Sequence, residues 1–76
     1  MIEVDCRFLS NGTIQVKQIK VKDRWLPIEQ GRQWTDQEGK HILIRVSDNS
    51  VQELLLSSDT FNWELRSTGS FPQQIV

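Results

Sequence analysis

The chain has 76 residues, 37% hydrophobic and 25% charged, with nine Lys and Arg, ten Asp and Glu, one His and one Cys. That length allows one domain with a small core, burying only about 60–65% of the surface the unfolded chain exposes. A net charge of −1 argues against a strongly basic nucleic-acid binder, the lone Cys6 excludes an internal disulfide, and no apolar run approaches the roughly 18 residues of a membrane span.

Apolar residues recur with period two, the signature of strands whose successive side chains point to opposite faces. Val4, Cys6 and Phe8 share one face of a first strand near 2–9. Ser10-Asn11-Gly12 follows, and Asn-Gly tolerates the positive φ of a hairpin turn. The next strand changes phase: Ile14 and Val16 point one way, Ile19 and Val21 fall on the other parity. A one-residue bulge near Lys17-Gln18 returns both pairs to the core.

Asp23-Arg24 reads as the next turn. Pro27, in Trp25-Leu26-Pro27-Ile28, cannot donate to a ladder and belongs on an edge or at a bulge. Gly31 marks a further irregularity before Trp34, and residues 35–39 form a polar connection. Lys40 to Ser47 is the clearest strand, with Ile42, Ile44 and Val46 on one face and His41, Leu43 and Arg45 on the other. Asp48-Asn49-Ser50 turns into Val51 to Leu56, read as a strand although Asn49 and three leucines would also suit a short helix. After 57–60, Phe61, Trp63 and Leu65 share a last inner face, and residues 67–76 read as a flexible tail.

The expected fold is therefore all-β: one domain over residues 1–66, a small antiparallel barrel or strongly bent sheet of five to six strands. Its expected core is Val4, Cys6, Phe8, Ile14, Val16, Ile19, Val21, Leu26, Ile28, Ile42, Ile44, Val46, Leu54, Phe61, Trp63 and Leu65.

The second half has a particular order. Trp25 and Trp34 precede Gly39-Lys40-His41-Ile42-Leu43-Ile44-Arg45-Val46, then Val51-Gln52-Glu53-Leu54, then Trp63-Glu64-Leu65. Residues 24–66 thereby resemble a family of small bacterial β-domains, found alone or appended to polymerases of the DNA-repair type. The resemblance implies a small β fold and brings no established activity or cofactor.

Catalytic and metal chemistry is sparse. A metal centre needs several His, Cys or carboxylate ligands, and one His and one Cys are present. Cys6 reads as a core residue and His41 as a solvated outer residue. Ser47, Ser50, Ser57 and Ser58 fall in turns, and the four glycines form no phosphate-cradling motif. No cofactor is expected, and the chain reads as a non-enzymatic interaction module. Without a signal peptide's basic segment and apolar core, its expected location is the cytoplasm, away from membranes.

Two binding surfaces are expected. Leu43 and Leu55 fall on the outward parity of adjacent strands and, with Trp34, form the surface expected to dock a protein partner. Alternatively, Lys20, Lys22 and Arg24 form a basic line beside Trp25, suited to weak binding of a single-stranded nucleic acid. Exposure of the first group would favour a protein; a ring beside the lysines would favour nucleic acid.

Overall fold

The computed structural model describes residues 2–67. They form seven strands: β1 (Glu3–Phe8), β2 (Ile14–Val21), β3 (Arg24–Pro27), β4 (Glu29–Thr35), β5 (Gly39–Arg45), β6 (Val51–Ser57) and β7 (Trp63–Ser67). All pairings are antiparallel, in two sheets ordered β1-β2-β3 and β4-β5-β6-β7. The all-β expectation holds, with two corrections: there are seven strands, and the sheets do not close into a barrel. Residues 51–57 are strand, and β7 extends one residue past the expected boundary at 66. Of the expected tail, residues 67–76, Ser67 belongs to β7 and residues 68–76 lie outside the described residues.

The extra strand arises at Pro27. Without an N–H, Pro27 cannot extend the ladder with β2. The chain passes through Ile28 and enters the second sheet as β4, so one aromatic segment serves two sheets. The phase change in β2 is a bulge as expected. Asp5 opposes Gln18 and Cys6 opposes Val16, leaving Lys17 as the extra residue, and Ile14, Val16 and Ile19 are all buried. The β2–β3 turn falls one residue earlier than expected. Lys22 and Asp23, with φ of 52° and 64°, take the paired left-handed conformations of a tight hairpin, and Arg24 opens β3.

Two hairpins share one loop design. Leu9 N–H donates to Thr13 O and Gly12 N–H to Leu9 O; Val46 N–H donates to Ser50 O and Asn49 N–H to Val46 O. Gly12 (φ 91°) and Asn49 (φ 70°) occupy the equivalent left-handed position. One residue before it, the side chains of Asn11 and Asp48 accept from the N–H of Thr13 and Ser50. Ser-Asn-Gly-Thr and Ser-Asp-Asn-Ser are thus the same turn written twice, each with an Asx bond reinforcing it.

Ile14, Val16, Ile19, Ile42, Ile44, Leu54 and Leu56 form the core, with Val4, Cys6, Val21, Leu26, Ile28, Val46, Trp63 and Leu65 packed around it. Two expected core residues do not belong. Phe8 ends β1 at the mouth of its hairpin and is exposed. Phe61 lies in the β6–β7 turn in a left-handed conformation (φ 58°), which takes it out of the strand's alternation and leaves it 74% exposed. Conversely His41, expected in solvent, is buried, and so is Leu55.

The junction between the sheets is made by side chains. β3 pairs only with residues 18–21 of β2, so the buried half at Ile14 and Val16 lacks a strand on that side. Gln30 and Gln33 of β4 fill the gap. Val16 N–H donates to Gln30 Oε1 at 2.8 Å, and Ile14 N–H to Gln33 Oε1 at 3.0 Å. Both amide nitrogens donate to Ile14 O, at 2.7 and 2.9 Å. Buried peptide groups must be bonded, and the two amides supply what a ladder would.

Gln30→Ala and Gln33→Ala each leave a buried N–H of β2 unpaired, at an expected cost of about 1–3 kcal/mol. The double variant also strips Ile14 O of both donors, so it should lose more than the two singles summed. Urea denaturation of the four proteins measures the coupling; strictly additive losses, or losses under about 0.5 kcal/mol, would contradict the bridge.

Candidate functional site

The outer face of the second sheet follows from register. Trp34 stands opposite His41, His41 opposite Leu55, Leu43 opposite Glu53, and Glu53 opposite Arg66. Directly opposed residues share a face, so Trp34, Leu43 and Leu55 do lie on one surface. That surface is not open. Leu55 is only 2% exposed, and Trp34 and Leu43 are half-buried.

His41 is the centre of this face. Its ring stacks on Trp34, with centroids 4.9 Å apart and planes within 1°. The Arg32 guanidinium lies 5.4 Å from the Trp34 centroid. His41 Nδ1 bonds the Glu53 carboxylate, and Nε2 bonds Asp36 Oδ1 at 2.8 Å, with Glu38 Oε1 at 3.8 Å. A carboxylate faces each nitrogen, an arrangement that favours a ring protonated on both. Burial pulls the His41 pKa down, but the bonds to Glu53 and Asp36 and their charges outweigh it and raise it above the ordinary value. The bond from His41 in turn lowers the Asp36 pKa.

The loop carrying Asp36 and Glu38 is fastened across the sheet. Glu38 N–H donates to Asp36 Oδ1, while Glu38 O accepts from Ser58 N–H at 2.8 Å. Arg66 holds both Glu38 oxygens, at 3.3 and 3.1 Å. That pair runs from the β4–β5 loop to β7, across the outer face of β6, where Leu55 sits. Gly39 makes the fold-over possible: its φ of 144° suits glycine, and a Cβ there would collide with the Leu56 carbonyl.

Asp36, Glu38 and His41 each present a metal-ligating atom within 4.8 Å of the others. These atoms already bond within the protein: Nε2 lies 2.8 Å from Asp36 Oδ1, and Arg66 holds both oxygens of Glu38. The arrangement is a closed ion network. Among the described residues no hydrogen bond joins a serine to His41; Ser58 Oγ donates to Gln37 O. The sequence concealed the network because its partners lie on three segments whose register no local pattern reveals. The available signal was that His41 and Glu53 both fall on outward parities of neighbouring strands.

The basic set lies on the other sheet. Lys20 stands opposite Trp25, its Nζ 5.9 Å from the ring centroid, and the ring is 44% exposed. Glu3 reaches the same ammonium at 3.9 Å. Lys22 is exposed at the turn beyond. Arg24 does not continue the line: it pairs with Val21, on the opposite face from Lys20 and Trp25, because the turn comes at Lys22-Asp23. The two sheets also differ in charge. Residues 2–28 carry five cations against three anions, and residues 29–67 four against seven.

Compared with known proteins, the chain matches no family model, no curated protein and no solved structure. Among the described residues no helix is long and apolar enough to cross a membrane.

Removing one member of a buried ion pair strands the other. His41→Ala should therefore cost about 3–5 kcal/mol, and the double variant His41→Leu/Glu53→Leu should recover most of it. Urea melts of wild type, single and double variants make the comparison; a double variant as unstable as His41→Ala would show that the pair does not act as a unit.

Proposed function

We propose that this chain is a non-enzymatic binding module that holds single-stranded nucleic acid on the outer face of its first sheet. The observation that carries the reading is the half-exposed Trp25 ring with the Lys20 ammonium beside it. A base can stack on the free ring while Lys20 and Lys22 meet adjacent phosphates, the arrangement by which small β-domains hold single strands without reading sequence. The acidic second sheet repels a phosphate chain and so favours the first.

Protein docking through Trp34, Leu43 and Leu55 is the weaker reading. It requires an open apolar surface, and Leu55 lies beneath the Glu38–Arg66 pair while Trp34 is stacked on His41. The non-enzymatic reading rests on His41, whose two nitrogens are both engaged, and on the described serines, which fall in turns, loops or strand ends.

With only Lys20 on the strand and Lys22 at the turn beyond it, the affinity should be low, with Kd in the non-specific range of about 10⁻⁴–10⁻⁶ M at physiological salt. Trp25→Ala should weaken binding by about 5- to 150-fold, the value of one stacked base. Lys20→Gln/Lys22→Gln should flatten the salt slope by about 1.4, since each phosphate contact contributes about 0.7. Glu3→Gln frees Lys20 from its ion pair and should tighten binding. Fluorescence anisotropy of labelled oligothymidine and oligouridine, read from low to physiological salt, tests all three. No binding at low salt, or binding indifferent to Trp25, would overturn the reading.

A further inference from the structure

We propose that residues 36–38 form a strap over the outer face of the second sheet, latched by the doubly protonated His41 and released when His41 gives up one proton.

The geometry is asymmetric in a way that determines what opens. His41 bonds two carboxylates on different elements. Glu53 is in the middle of β6 and buried, while Asp36 is exposed on a loop. A neutral imidazole has one N–H to give. That proton stays with Glu53, because a buried unpaired carboxylate is the more costly outcome. Nε2 then turns a lone pair toward Asp36, and the contact that held the loop becomes a repulsion. What remains on the strap is exposed: Ser58 N–H and Oγ on the Glu38 and Gln37 carbonyls, and the Arg66–Glu38 pair. Release uncovers Leu55, the apolar residue that the strap and its ion pair overlie.

Other charged groups around the ring set the field without replacing the latch. Glu38, 3.8 Å from Nε2, and Glu64, 3.5 Å from Arg66, add negative charge on the side of the loop and β7. Arg66 and Arg32 oppose it, the latter from beyond Trp34. Lys40, on β5 itself, directs its ammonium to Gly12 O.

The sign follows from linkage. The bonds to Glu53 and Asp36 raise the latched ring's pKa above its ordinary value of 6.5. Where the ring is protonated with the strap open as well as closed, pH has no effect; the open ring keeps its bond to Glu53, which holds this lower limit up as well. From there up to the midpoint of the latched ring, opening grows about tenfold per pH unit, and above it the opening levels off.

Two NMR readings test this on the whole chain: the ring nitrogens of His41, and hydrogen-exchange protection at Ser58 and Asp36, whose N–H groups donate to Glu38 O and Gly39 O. Protection at both should fall about tenfold per pH unit between the midpoints of the open and the latched ring and level off at the latter, while Ile42 and Leu54 in the core hold theirs. Glu53→Gln should lower the His41 midpoint and move the window to lower pH. Asp36→Asn, an exposed change that leaves the core intact, should abolish the step at Ser58, because an amide can either accept from or donate to Nε2. Protection unchanged across the His41 titration, a parallel loss at Ile42 and Leu54, or a step that persists in Asp36→Asn would overturn the proposal.

Discussion

The Ile14 and Val16 peptides lie on a half of β2 that β3 never reaches, and the two glutamine side chains of β4 complete them. The rest of the architecture depends on that junction. It lets β4 stand beside β2 without pairing with it, so the second sheet can leave the plane of the first. It also explains why two amides sit on inward parities of β4, opposite Ile44 and Ile42, where apolar residues would be expected. The sheets are joined through the core by polar groups that are fully bonded, which is the condition for burying them.

That division leaves two outer faces of opposite character. The first sheet, with an excess of two positive charges, shows an aromatic ring and a lysine to solvent. The second, with an excess of three negative charges when His41 is neutral, folds its own loop over itself and holds a proton at the centre. The first face is shaped to receive something; the second is already occupied by the chain. A strap that opens on loss of a proton would join the two, because it changes the charge and the apolar surface of the acidic face without disturbing the basic one.

Much of the fold was legible in the sequence where the information is local. Alternation marks β1, β2, β5 and β7, the short run between two strong strands marks β6, and the phase change between Val16 and Ile19 puts the bulge near Lys17. Pro27 gave the edge but not the change of sheet, since its missing donor says where a ladder stops and not where the chain goes next. Phe61 was misplaced because parity counting assumes strand geometry, and its left-handed φ breaks that assumption. His41 and Leu55 were read as outward, correctly, and as exposed, wrongly. Exposure depends on a loop folding back across β6, which no periodicity records. Lys20 and Trp25 were recognised as neighbours, while Arg24 was assigned to their face only because the turn was set one residue late.

Chemical-shift mapping across the whole chain gives the most direct test of where a ligand sits. On titration with a short single-stranded oligonucleotide at low salt, the Trp25 indole N–H and the amides of Gln18, Lys20 and Lys22 should shift together, with His41, Leu43 and Leu55 unmoved. Shifts centred on the second sheet, or none at saturating oligonucleotide, would contradict the assignment of the first sheet as the binding face.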